Sequence, residues 1–289
     1  MSREKLTIIV TCTDRKSATP DEKLMVRHLP EGELPLRARA WQQALTAAVE
    51  RRPLTELYSG ETWVQVRTLA DTATALGYEP EMFVASAGLG LQAAPTPAPP
   101  YSATFGVGHA DSVGSSVLEA QAWWRLLPHA EIAPGGRAMW VLSESYSRVV
   151  SPYLLEATAP KELLVFGGSN DVDEGVRVPS DRSLRRALGG TLTSLNVRSA
   201  AQWLSLAGGD DPFASAARQR WRAWTDANRH REVFDRVTLS DLAVLDFIGG
   251  LHALQPGISK TKALKILRES GMACEQRRFS TLFQQAVDS

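Results

Sequence analysis

The chain repeats one pattern that limits it to few folds: a short apolar run empties into small polar residues, and a helical stripe follows. Residues 6–10 are apolar and β-branched and end in Thr11-Cys12-Thr13-Asp14. Residues 82–85 end in Ser86-Ala87-Gly88, residues 138–142 in Ser143-Glu144-Ser145, and residues 162–166 in Gly167-Gly168-Ser169-Asn170. A weaker run, 191–195, ends at Asn196. Short apolar runs bounded in this way read as buried strands. Between them Trp41, Leu45 and Val49 share one helix face, as do Trp63, Val66, Ala70 and Ala73, with Gly77 placed as a stop. Ser116 and Glu119 have capping-box spacing ahead of Trp123, Trp124 and Leu127, and a short basic helix over 180–188 closes at Gly189. Strands alternating with helices predict an α/β fold, a small parallel sheet flanked by helices. Such a sheet binds ligands beyond the carboxyl ends of its strands, which is where the polar residues fall.

Two stretches break the alternation. Residues 93–100 carry four prolines, which a central strand or helix interior excludes, so a stiff loop is expected there. Gly208-Gly209-Asp210-Asp211-Pro212 reads as a hinge. It divides an α/β domain over 1–208 from a basic helical domain over 209–289. In the latter, helices are expected over 215–232, 240–254, 259–270 and 274–287. The last three are short and tightly connected, which suits a helix-turn-helix-like unit.

Charge sets limits on partners. Thirty-two Lys and Arg balance 32 Asp and Glu, so any attraction to nucleic acid must come from local patches. One such patch joins Arg218, Arg220, Arg222, Arg229 and Arg231 to Trp221, Trp224 and His230; Lys260, Lys262, Lys265, Arg268, Arg277 and Arg278 extend it, and Arg182, Arg185, Arg186 and Arg198 lie nearer the sheet. A solvated amphipathic helix with its tryptophans inward fits the first cluster equally well. The two cysteines, Cys12 and Cys274, make neither a disulfide framework nor a metal spacing and suit a reducing compartment. With no secretory leader pattern and no apolar stretch long enough to span a bilayer, a cytoplasmic protein without membrane contact is expected. The lack of metal-ligand clusters, of a Gly-x-Ser-x-Gly elbow and of a phosphate-binding glycine-lysine loop disfavours zinc hydrolases, serine hydrolases and P-loop ATPases. No metal and no cofactor are called for.

The candidate site residues cluster after the predicted strands. Thr13, Asp14, Arg15 and Lys16 offer a hydroxyl, an acid and two bases, enough to hold a polar ligand, although a solvated loop with an internal Asp/Lys pair reads the same. Ser86 and Gly88 sit in a turn where backbone N–H groups can approach an anion, or where a plain tight turn is needed. Ser59 precedes the Trp63 helix as an N-cap or as a donor to an anion. Tyr101 and Phe105 flank the proline loop and offer rings for stacking a base, or for packing. His109 and Asp111 follow as a weaker acid/base pair.

Taken together, Cys12-Thr-x-x-Lys16, then Leu57-Tyr58-Ser59-Gly60, then Ser86-Ala87-Gly88-Leu89, then Tyr101 with Thr104 resemble a bacterial domain family marked by a Cys-Ser/Thr-x-x-Lys loop, which is similar to the uracil-DNA-glycosylase-like superfamily. The resemblance covers about residues 6–105, and the ending from Gly271 through Phe283 is similar to tails found with such domains. It implies a DNA glycosylase that hydrolyses the N-glycosidic bond of a modified base in phage DNA, glucosylated hydroxymethylcytosine being one substrate of this kind, and leaves abasic sites in an anti-phage role. It implies Asp14 as the water-orienting acid (Asp111 being the other candidate), with Lys16 and Asn196 beside it. Cys12, Thr13, Ser86, Gly88, Tyr101 and Phe105 would contact the base. Arg15, Ser59, Arg198, Arg218, Arg220, Arg222, Lys260 and Lys262 would hold DNA. The chain departs from uracil glycosylases in lacking their Gly-Gln-Asp-Pro and His-Pro-Ser loops, which makes uracil a poor substrate. A nucleotide- or nucleoside-processing enzyme or sensor, and a non-catalytic DNA-binding protein, remain as alternatives.

Overall fold

The computed structural model describes residues 3–230 and 236–287, which fall in two compact units, 1–230 and 231–289. The division comes after His230, later than the glycine-rich hinge suggested, because the basic helix over 215–228 packs with the sheet unit: Trp221 lies 5.9 Å from Trp203, ring to ring.

In the first unit the order is β1 (Glu4–Thr11), α1 (Leu34–Ala47), β2 (Arg52–Pro53), α2 (Leu54–Leu57), α3 (Glu61–Ala75), β3 (Tyr78–Ser86), β4 (Gly90–Ala93), β5 (Pro97–Ala98) and α4 (Val117–Leu126). Then follow β6 (Arg137–Leu142), α5 (Glu144–Thr158), β7 (Glu162–Gly167), β8 (Arg177–Val178), α6 (Arg185–Leu188), α7 (Leu195–Ala207) and α8 (Ser215–Asn228). Six strands form one sheet in the order β4-β3-β1-β6-β7-β8, parallel throughout except for the β3–β4 hairpin. Leu6, Ile8, Ile9 and Val10 of β1 are all buried, as a strand covered on both faces requires. Helices α3, α7 and α8 pack as one group and α1, α4 and α5 as another. The proline stretch avoids the main sheet; Pro97–Ala98 pairs with Arg52–Pro53 in a separate two-stranded ribbon.

Local signals account for several boundaries. Ser116 caps α4 by accepting from the Glu119 N–H, while the Glu119 carboxylate turns back to the N–H of Ser115 at 2.7 Å. Gly77, at φ +92°, lies just past the end of α3. Two expectations need correction. Residues 191–195 form no strand: Thr191 and Ser194 direct their hydroxyls to Glu61, which fixes a helical turn that runs into α7. The remaining parallel strand is β8 instead. Val49 lies beyond the end of α1 and is 96 % exposed, so it does not share the Trp41 face.

The second unit holds β9 (Val237–Thr238), α9 (Asp241–Leu254), α10 (Lys260–Glu269), β10 (Met272–Ala273) and α11 (Gln276–Val287), with β9 and β10 parallel. Val244, Ile248, Leu267 and Phe279 form its core. Ser240 and Ser259 cap α9 and α10, and Gly271 at φ +77° follows α10. Arg231, counted above in the basic cluster, and the end of the helix expected over 215–232 lie outside the described residues.

Candidate active site

The strand order reverses beside β1. From β1 the chain moves outward to β3, then crosses back to β6 on the other flank and continues outward to β7. The carboxyl ends of β1 and β6 therefore border the switch point, the position at which parallel sheets bind ligands. Cys12 leaves β1 there and its thiol meets the Tyr146 hydroxyl, carried on the first turn of α5 after β6, at 3.1 Å. The Phe105 ring packs 4.7 Å from Tyr146 and 5.9 Å from Trp124.

A chain of buried hydroxyls forms the floor. Tyr58 and Tyr101 share a hydrogen bond of 2.6 Å, and Tyr101 makes a further short one with Ser86. The Ser86 hydroxyl oxygen accepts from the N–H groups of Gly88 and Leu89 at 3.2 and 3.1 Å. Trp41 and Trp123 donate their indole N–H groups to the carbonyls of Gly88 and Ala87, at 2.6 and 2.8 Å, and so pin the β3–β4 turn from outside. Gly88 is obligatory, because a Cβ there would lie 2.5 Å from the Tyr101 ring. Burial pushes the phenols of Tyr58, Tyr101 and Tyr146 well above the usual tyrosine range, so they are neutral hydroxyls, able to donate and accept but not to act as anions.

Above this floor lies Lys16. Its ammonium sits 4.4 Å from the centre of the Tyr101 ring and 5.8 Å from that of Tyr58, and donates to the carbonyls of Thr13 and Asp14 at 3.2 and 3.5 Å. The loop is held down by Ser17, whose N–H donates to the Leu57 carbonyl at 2.8 Å, and by Ser59, whose N–H donates to the Arg15 carbonyl at 3.0 Å. Burial lowers the Lys16 pKa below its ordinary 10.5, opposed by the charges of Cys12, Asp14 and Asp111. Cys12 and Thr13 are half-buried, and Asp14 and Arg15 are exposed at the rim.

The structure thus brings together Cys12, Thr13, Asp14, Lys16, Ser86, Gly88, Tyr101 and Phe105 but sorts them into layers. Ser86, Gly88, Tyr101 and Phe105, expected to touch a base, are buried and form the floor and its packing, so a ligand meets the loop above them first. Asp111 is a structural acid: fully buried, it takes the Arg27 guanidinium and backbone N–H (the latter at 3.1 Å) and the Ser102 hydroxyl at 2.7 Å. Burial alone raises its pKa, but those bonds outweigh it and bring it down to about 2. Asn196 lies at the carboxyl edge of the sheet as expected, although on the first turn of α7. Its amide donates to the Leu142 carbonyl at the end of β6, at 2.9 Å.

The residues expected to hold DNA scatter. The N-cap of α3 is Gly60, not Ser59, and has φ +85°; a Cβ there would meet Arg15 at 2.9 Å. Arg198 is tied to Glu61 at 2.8 Å, and Arg220 to Asp210 at 2.8 Å. Arg218 and Arg222 lie on α8, away from the switch point. In the second unit Lys260 donates to the Ser280 hydroxyl at 2.6 Å and lines a groove of about 690 Å³ with Lys265, Arg268 and Arg277; Lys262 is exposed elsewhere on α10. Sequence patterns gave no sign of Tyr146 or of the Arg27–Asp111 pair, because both contacts join segments far apart in the chain.

Among the described residues no group of three His, Cys, Asp or Glu side chains could hold a metal ion, and no helix is long and apolar enough to cross a membrane. No family model, no curated protein and no solved structure matches the chain.

Proposed function

We propose that this chain is a DNA glycosylase of the uracil-DNA-glycosylase-like kind, which hydrolyses the N-glycosidic bond of a modified base, glucosylated hydroxymethylcytosine among them, in phage DNA in the cytoplasm. One observation carries the reading: at the switch point one loop carries an exposed acid, Asp14, and a partly buried ammonium, Lys16, which bonds the Asp14 carbonyl oxygen and lies over the neutral phenol of Tyr101. Breaking an N-glycosidic bond builds positive charge on the sugar and negative charge on the leaving base. Asp14 stabilises the former and orients water; Lys16 meets the latter. The target base is extruded from the stack to reach them. Thr13 and the half-buried Cys12 thiol supply the nearest further contacts. The basic groove of the second unit gives a surface for phosphates.

The test is alkali-induced strand scission on plain and modified DNA. Asp14→Asn is expected to lower abasic-site formation by about 100-fold or more while DNA affinity stays within about twofold. Full activity in that variant removes Asp14 from its role. A second reading, an enzyme or sensor for a small nucleotide, draws on the pairing of Arg198 with Glu61 and of Arg220 with Asp210, which leaves fewer cations for a polymer. Absence of any salt-dependent affinity for DNA favours it.

A further inference from the structure

A cavity of about 550 Å³ opens between α8 and β8, at the edge of the sheet and apart from the Lys16 loop. Arg177, Arg218, Arg222 and Arg229 line it, against only Glu174 and Asp226, a formal excess of two positive charges. The acids do little to neutralise the inner arginines. Arg177 donates to the Gly167 carbonyl at 2.9 Å and to the Asn170 side-chain oxygen at 2.8 Å; Arg218 donates to the carbonyls of Gly175 and Arg177. These are all neutral acceptors. Arg229 is the one of the four with carboxylates in reach among the described residues, Asp181 at 3.5 Å and Asp226 at 3.9 Å. Arg222 is exposed at the mouth. Burial, and then the repulsion of Arg222, lower the Arg218 pKa, as expected of cations brought together without a counter-charge. Trp203 and Trp221 wall the cavity with apolar surface, and the Arg218 guanidinium stacks 5.9 Å from the Trp203 ring.

A concave, tryptophan-walled space with a formal excess of two positive charges, and with the exposed Arg222 among its lining, suits an anion, and guanidinium groups pair well with a phosphate. We propose that this cavity binds a phosphate of the substrate strand, at a site separate from the Asp14–Lys16 loop. The proposal rests on the glycosylase reading for the identity of the strand. β8 stands three places from β1 in the sheet, about 14 Å away at the usual strand spacing. Through its bond to Gly167, the last residue of β7, Arg177 reaches the same carboxyl edge as Cys12. A strand laid along that edge places a nucleotide at the Cys12–Lys16 loop and a phosphate further along the same strand among the arginines.

The test is fluorescence anisotropy of the full chain with a labelled single-stranded oligonucleotide between about 50 and 200 mM salt, with a mononucleotide as the second probe. Arg222→Glu is expected to weaken oligonucleotide affinity about 10-fold at the lower salt. Arg222→Gln is expected to reduce the salt slope by about one phosphate contact. Thermal melting of both variants within a few degrees of wild type excludes a folding defect. Wild-type affinity and slope in both variants overturn the proposal while leaving the glycosylase reading standing. Arg222-dependent binding of the mononucleotide without oligonucleotide binding upholds the phosphate site, assigns it to a free nucleotide, and overturns the glycosylase reading. Loss of affinity for the oligonucleotide alone upholds the proposal and leaves the glycosylase reading to the strand-scission test.

Discussion

Two charged side chains, Lys16 and Asp111, show how environment sets different roles. Asp111 is wholly enclosed and its charge is consumed by Arg27 and Ser102. Its folded pKa of about 2 lies below the ordinary 3.8, so it contributes stability that is present above pH 3.8 and lost as pH falls toward 2. Asp111→Asn is expected to cost about 2 to 3 kcal/mol in urea unfolding at neutral pH and to flatten the acid limb of the stability curve in that window. An unchanged acid limb contradicts the assignment. Lys16, by contrast, keeps its charge over an aromatic face with only carbonyls as close acceptors. Its pKa is lowered, so activity that needs the ammonium declines on the alkaline side at a pH below 10.5. Lys16→Arg moves that decline to higher pH wherever activity survives, and measured pH–rate profiles decide it. Asp14 and Lys16 were legible as candidates because they follow a buried strand, although a solvated loop reads the same, and Cys12 and Tyr101 because they complete the pattern that carries the family resemblance. That Ser86 and Tyr101 are floor rather than lining was not legible: burial depends on Trp41, Trp123 and Gly88 closing around them.

At the level of elements, the β3–β4 hairpin and the first turn of α7 position the site. The hairpin turn works because Gly88 lets the Tyr101 ring lie on backbone. Gly88→Ala is expected to destabilise the unit by about 1 to 3 kcal/mol through overpacking and to disturb the Tyr58–Tyr101–Ser86 chain. Equilibrium unfolding measures the first effect, and a wild-type midpoint contradicts it. The four longer parallel strands were readable from their apolar runs, and the caps at Ser116, Ser240 and Ser259 from hydroxyl spacing. The run over 191–195 misled because its hydroxyls bond Glu61, which belongs to α3, about 130 residues earlier. Bonding between such distant segments leaves no local pattern. β8 was missed for the converse reason: two residues, Arg177 and Val178, are too short a strand to show periodicity.

For the molecule as a whole, a formal charge of zero leaves recognition to local excess. That excess is found in the α8–β8 cavity of the first unit and in the groove of the second. Lys265→Gln, on an exposed part of α10, is expected to weaken DNA affinity a few-fold and equally for all sequences, as a phosphate contact does. Sequence-selective loss by anisotropy contradicts that role. Composition allowed a balanced, globular chain to be anticipated, and the alternation of apolar runs with helical stripes an α/β one; the division after His230 was not, since the glycine-rich hinge is followed by a helix whose Trp221 packs on Trp203. On the proposed function, the loop from Cys12 to Lys16 cuts a base from DNA. The most direct measurement is mass analysis of free bases released from a panel of plain and modified phage DNAs, by the wild-type chain and by Asp14→Asn. Release of a modified base by the wild type alone is expected. Release of no base from any DNA, or equal release by both proteins, contradicts it.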